Sequence, residues 1–154
     1  MFIIVMLAAL MLSPGEATAQ RGVYGAWISG AEQVPVVTTT AVGWAAFELT
    51  PAGLRYSLYA HNTENISMAH IHIAALGVNG PIAVWLYPSA PPARPIPGIF
   101  SGLLGEGTIV AANLMGPLAG QPLSALFSAI EAGNAYVNIH TARFPGGEIR
   151  GQIR

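Results

Sequence analysis

Three histidines carry the chemistry that this chain offers. His70 and His72 stand two apart in Met68-Ala-His-Ile-His-Ile73, and His140 lies in Tyr136-Val-Asn-Ile-His-Thr141. A spacing of two puts His70 and His72 on one face of a strand, with Ile71 and Ile73 on the other. Neutral imidazoles from one strand plus a third from a neighbouring strand make a nitrogen-donor set suited to copper or zinc. His61 is a candidate fourth donor, although a strand histidine beside polar neighbours is more often simply exposed.

The element that must hold His140 is a β-hairpin at the carboxyl end. Residues 136–141 alternate at the period of a strand, and residues 148–153 do so again after the turn signal Phe144-Pro-Gly-Gly147. Tyr136, Asn138 and His140 project one way and Val137 and Ile139 the other; Glu148, Arg150 and Gln152 oppose Ile149 and Ile153. A turn centred on Phe144 and Pro145 sets His140 beside Glu148 and Asn138 beside Arg150. A slip of one residue would put each polar row against an apolar one. In this register Glu148 is placed to accept the second imidazole proton of His140. The row needs a partner strand, and residues 68–73 are the stretch of matching character.

The same residues admit a second reading, in which His70, His72, Asn138, His140, Glu148 and Arg150 form a satisfied polar network without a metal, Arg150 forking onto Glu148. That is the commoner fate of a buried polar row. Catalytic readings have less to stand on: Glu148 with Glu106 or Glu48 has no acid–base spacing, and no serine sits in a nucleophile turn. A non-enzymatic domain is expected.

Composition narrows the setting. Residues 1–12 form an apolar run too short to span a membrane, and Ala17-Thr-Ala19 follows it, so residues 1–19 read as a signal peptide cleaved after Ala19. No Lys or Arg precedes the run, a departure from the usual signal. The domain then covers residues 20–154, secreted or periplasmic, with no membrane span once the signal is removed. It holds no cysteine, so the fold needs no disulfide, and 53% apolar residues supply core enough for one domain of this size. A net charge of −1 with six Lys plus Arg leaves no basic face for nucleic acid or anionic membrane.

Along the chain, period-two alternation marks strands over residues 23–29, 41–50, 54–61, 68–74 and 82–87. Residues 62–67 read as a polar connection and residues 88–97 as a proline-rich loop. A strand pair, residues 99–104 and 108–113, is expected around Gly105-Glu-Gly107. Pro122 in a first turn, Leu123, Leu126, Phe127 and Ile130 on one side, and Gly133 at the end predict one short helix over residues 122–133. The pattern as a whole predicts an all-β, two-sheet antiparallel sandwich of Greek-key type with that helix as a cap. Trp27, Trp44 and Trp85, with Tyr24, Tyr59 and Tyr87, are expected mostly in the core; any that cluster outside it would offer a contact patch for a protein or a carbohydrate.

Three blocks carry a family resemblance: Ile28-Ser-Gly-Ala-Glu-Gln-Val-Pro35; Met68-Ala-His-Ile-His72 with Gly80-Pro81; and Ala135-Tyr-Val-Asn-Ile-His-Thr141 through Phe144-Pro-Gly-Gly-Glu-Ile-Arg-Gly-Gln152. From about Tyr24 onward the chain resembles the CHRD domain, named after chordin and found also as stand-alone exported bacterial proteins. The resemblance implies an all-β extracytoplasmic domain and does not imply an enzyme; a binding or structural module is expected. The chain departs from the family in having Ile73 and Ala74 where a glycine usually follows the His-x-His, and in its long proline-rich insert. A looser likeness to copper–zinc superoxide dismutases, exported Greek-key sandwiches with a strand His-x-His on copper, implies the alternative of a periplasmic metal-handling or redox protein. The bridging histidine and acidic zinc ligands of those enzymes are not evident.

Overall fold

Period-two alternation becomes seven antiparallel strands in the computed structural model, which describes residues 22–154; the expected signal peptide and its cleavage point lie outside the described residues. The strands are β1 (Val23–Ser29), β2 (Val42–Thr50), β3 (Gly53–Ile73), β4 (Ile82–Tyr87), β5 (Ile96–Ile109), β6 (Ala135–Thr141) and β7 (Ile149–Gln152). The one α-helix among the described residues, α1 (Leu123–Glu131), stands where the proline, the apolar spacing and the terminal glycine put it. It buries Leu126, Phe127 and Ile130.

The pairing corrects the expected two-sheet sandwich. β2 pairs with β1, β1 with β7, β7 with β6, β6 with β3, and β3 again with β2, so the hydrogen-bonded path returns to its start as a closed five-stranded barrel. β4 and β5 are additions along β3. Closure is made by the length of β3: residues 53–61 pair with β2 and residues 66–73 with β6. The sequence suggests two strands there, joined by a polar connection. Instead Asn62 and Asn65 take left-handed backbone angles, φ 52° and 51°, which bend one continuous strand where its register with β5 shifts. Asparagine tolerates that conformation better than most residues, and β5 keeps both halves of β3 bonded through the bend.

The expected strand pair around Gly105 and Gly107 is likewise one strand, β5. Gly105 lies against the Leu86 carbonyl and Gly107 under the Tyr56 ring, so these glycines mark close approach rather than a turn. The barrel is filled by Ile28, Phe47, Leu54, Leu58, Ile66, Ile71, Val137, Ile139 and Ile149, all essentially without exposure.

The last join of the barrel is β1 with β7, where Ser29 pairs with Arg150 and the Gly25 and Arg154 backbones exchange hydrogen bonds of 2.8 and 2.9 Å. Gly151 sits between these points with the Trp27 carbonyl where a Cβ would go. Gly151→Val should therefore open this join and lower unfolding free energy by about 2–3 kcal/mol in urea titrations. Gly146→Ala, with nothing within 4 Å of the added carbon, should change it by less than about 0.5 kcal/mol.

Candidate functional site

All seven residues of β6 are buried, on both faces, as are all four of β7. Val137 and Ile139 face the barrel core, and the opposite face carries Tyr136, Asn138 and His140. β3 brings its own row against this face, with Met68 opposite His140, His70 opposite Asn138 and His72 opposite Tyr136. On the other edge β7 sets Arg150 opposite Asn138 and Gln152 opposite Tyr136. The hairpin register and its partner strand are those the sequence predicts.

The three histidines converge. One ring nitrogen from each of His70, His72 and His140 lies within 4.8 Å of the others, and the side chains are 0%, 7% and 5% exposed. His61 is not among them; it is exposed and lines a surface groove with Trp27, Trp44 and Tyr59. Ring geometry assigns the protons. His72 Nδ1 is 2.9 Å from the Gly80 carbonyl and His140 Nδ1 is 2.9 Å from the Pro145 carbonyl. A carbonyl only accepts, so both Nδ1 atoms donate and both Nε2 atoms carry bare lone pairs. The lone pair of His140 receives the Nδ1–H of His70 at 3.2 Å. That leaves His70 Nε2 and His72 Nε2 buried with no hydrogen-bond partner among the described residues.

Burial keeps all three neutral. It holds His70 down to about 3, with the charges that His140 and His72 would carry adding to the effect. It holds His72 down to about 4, opposed by the Gly80 hydrogen bond and reinforced by His140 and Arg150. His140 is lowered by the same burial, against the Pro145 hydrogen bond.

Two expected contacts are absent, and the loops explain both. Glu148 does not take the proton of His140, because the Pro145 carbonyl of the tight turn reaches it first. The Glu148 carboxylate accepts instead from the hydroxyls of Thr39, at 2.6 Å, and Thr141, at 2.8 Å. Arg150 does not fork onto Glu148. It donates to Asn79 Oδ1 and to the Ala75 carbonyl, both at 3.3 Å, and its guanidinium lies 3.4 Å from the centre of the Tyr136 ring. Tyr136 in turn stacks on His72, ring centres 4.9 Å apart. Asn138 receives Gln33 Nε2 at 2.6 Å.

The covering residues Gln33, Thr39, Asn79, Gly80 and Pro145 are site residues that strand periodicity does not single out. Gln33, Gly80 and Pro145 do fall within the short blocks that carry the family resemblance. Trp85, paired with His70 across β3 and β4, packs edge-on against that imidazole at 4.3 Å. The other aromatics divide: Tyr24 is buried, while Trp27 and Trp44 are 65% and 42% exposed, Trp44 stacking on Tyr59.

These features define a class: an all-β barrel domain whose closing hairpin buries a polar face under two loops. Residues 24–153 match the CHRD domain, nearly the whole chain, and the protein belongs to that family. Neither the curated proteins nor the solved structures compared with it give a match.

Neutral burial has a measurable consequence. In the unfolded chain the three imidazoles titrate at the ordinary value of 6.5, whereas in the fold protonation is deferred to about 3 for His70 and about 4 for His72. Between these limits the unfolded state binds more protons, so stability falls as pH falls from 6.5 and is unaffected above it. The loss should reach about 1.4 kcal/mol per pH unit for each of His70 and His72, with His140 adding in the same direction. Urea midpoints should drop steeply from neutral pH to about pH 5, and His70→Gln should make that slope shallower; equal midpoints would contradict the burial of neutral rings.

Proposed function

We propose that this CHRD domain is an exported, non-enzymatic binding module that holds a copper or zinc ion on His70, His72 and His140. The observation that carries the reading is the convergence of one ring nitrogen from each of three buried histidines within 4.8 Å, with His70 Nε2 and His72 Nε2 left without a hydrogen-bond partner among the described residues. A metal held by all three rings would replace the His70–His140 hydrogen bond. A buried acceptor left bare costs about 1–3 kcal/mol, and a metal ion occupying the space between the rings would recover that cost. The backbone carbonyls of Gly80 and Pro145 fix ring orientation and tautomer, the service that outer partners give metal-binding histidines.

Asn138, Glu148 and Arg150 support the reading from outside the donor set. Each already has protein partners, so each braces the hairpin and its covering loops rather than offering a further ligand. Binding is favoured over general acid–base catalysis because imidazoles held this far below neutrality are weak bases. Export is supported by the apolar leader ending in Ala17-Thr-Ala19 and by the family, and no helix among the described residues is long and apolar enough to cross a membrane.

Metal analysis of the purified domain, followed by titration of the stripped protein with copper and with zinc, tests the proposal. One equivalent should bind, and His70→Ala, His72→Ala and His140→Ala should each weaken binding by at least about 100-fold. Weak binding indifferent to all three changes would leave only the polar network.

A further inference from the structure

Resting on that metal reading, the donor set and its surroundings choose between oxidation states. We infer that the site is built for cuprous copper, Cu(I), and that Met68 supplies a thioether as the fourth ligand.

The first observation is a place for sulfur. Met68 lies two residues before His70 on the same face of β3 and directly opposite His140 in the β3–β6 register. Directly paired residues hold their Cβ atoms about 5 Å apart. The unbranched, three-torsion methionine side chain can lay its sulfur over that gap. Thioether sulfur is a soft, neutral donor that suits Cu(I), whereas zinc takes sulfur chiefly as thiolate and Cu(II) prefers nitrogen and oxygen.

The second observation is charge. The cluster of histidines includes no carboxylate and no thiolate, so the donors bring no negative charge to the ion. Glu148, opposite His140 in the hairpin, has both oxygens engaged by Thr39 and Thr141. Arg150 is 1% exposed and stands behind Tyr136, which stacks on His72, so its guanidinium lies one ring away from the donor set. A cation entering this site therefore meets a buried like charge at the far side of one ring. Repulsion grows with the ion's charge and the desolvation cost with its square, so a divalent ion faces about twice the repulsion and about four times the desolvation of a monovalent one.

The third observation is the burial of the three donor rings, with Met68 half-buried at their edge. His70 is fully buried and the indole of Trp85 packs edge-on against it. Zn(II) and Cu(II) usually complete their coordination with water or an oxygen ligand, whereas Cu(I) is content with three or four soft and borderline donors.

The test uses the full domain stripped of metal. Under anaerobic conditions it is titrated with Cu(I) in competition with a chromophoric Cu(I) chelator, and in parallel with Cu(II) and Zn(II). Cu(I) should bind at least about a thousandfold more tightly than either divalent ion. Met68→Leu, which conserves volume, should weaken Cu(I) by at least about tenfold and change Zn(II) by less than about threefold. X-ray absorption of the Cu(I)-loaded wild type should contain a copper–sulfur path, a readout that does not depend on how the variant folds. Divalent binding as tight as Cu(I), or the lack of a sulfur neighbour together with an indifferent Met68→Leu, overturns the cuprous inference and leaves the metal site standing. No binding of any of the three ions by the wild type removes the metal reading itself.

Discussion

A strand face lined with imidazole, amide and guanidinium can be taken out of water only if nearly every donor and acceptor finds a partner, because each orphan costs as much as several apolar contacts return. In this domain that constraint falls on the outer face of β6. Two loops meet it with backbone carbonyls and short polar side chains: residues 30–40 bring Gln33 and Thr39 to Asn138 and Glu148, and residues 74–80 bring Ala74, Ala75, Asn79 and Gly80 to Gln152, Arg150 and His72. The loops are ordered by what they satisfy. The barrel thereby gains a second, polar core on the far side of the strands that enclose its apolar one.

Satisfaction stops short at the histidines. The hairpin turn and residue 80 each give one carbonyl to a ring, and the rings give each other one bond, yet two nitrogens remain with nothing to accept. Gln152 Oε1 on the same face and Trp85 Nε1 beside His70 also lack a partner among the described residues, but only the histidines gather metal-ligating atoms in one place, and that is where we place the proposed ligand. The proposed cuprous occupant draws on the same accounting, in which neutral nitrogen donors, a neighbouring methionine and a buried arginine would favour a soft ion of low charge.

The closed barrel explains why the site can be held so firmly. β6 and β7 are joined to β3 on one side and to β1 on the other, so neither strand of the hairpin presents an unpaired edge. The bend at Asn62 and Asn65 lets one strand serve both β2 and β6, and so places His70 and His72 against His140. A fold of two separate sheets would need another strand to do this.

The sequence by itself determined the hairpin, its register, the strand carrying His70 and His72, and the short helix. Each of these is local: a period of two, a turn signal, or a proline and glycine at the right distance. Legible too was the meeting of three imidazoles, because only two stretches of the chain alternate histidine with isoleucine. Tertiary structure alone decided barrel over sandwich, since closure depends on long-range pairing of one bent strand that local pattern divides in two. It also decided the partners of Glu148 and Arg150. Alternation places those two charges two apart on one face of the same strand, but Thr39, Thr141, Ala75 and Asn79 arrived with better-aimed oxygens and hydroxyls, and hydrogen-bond geometry settled the competition.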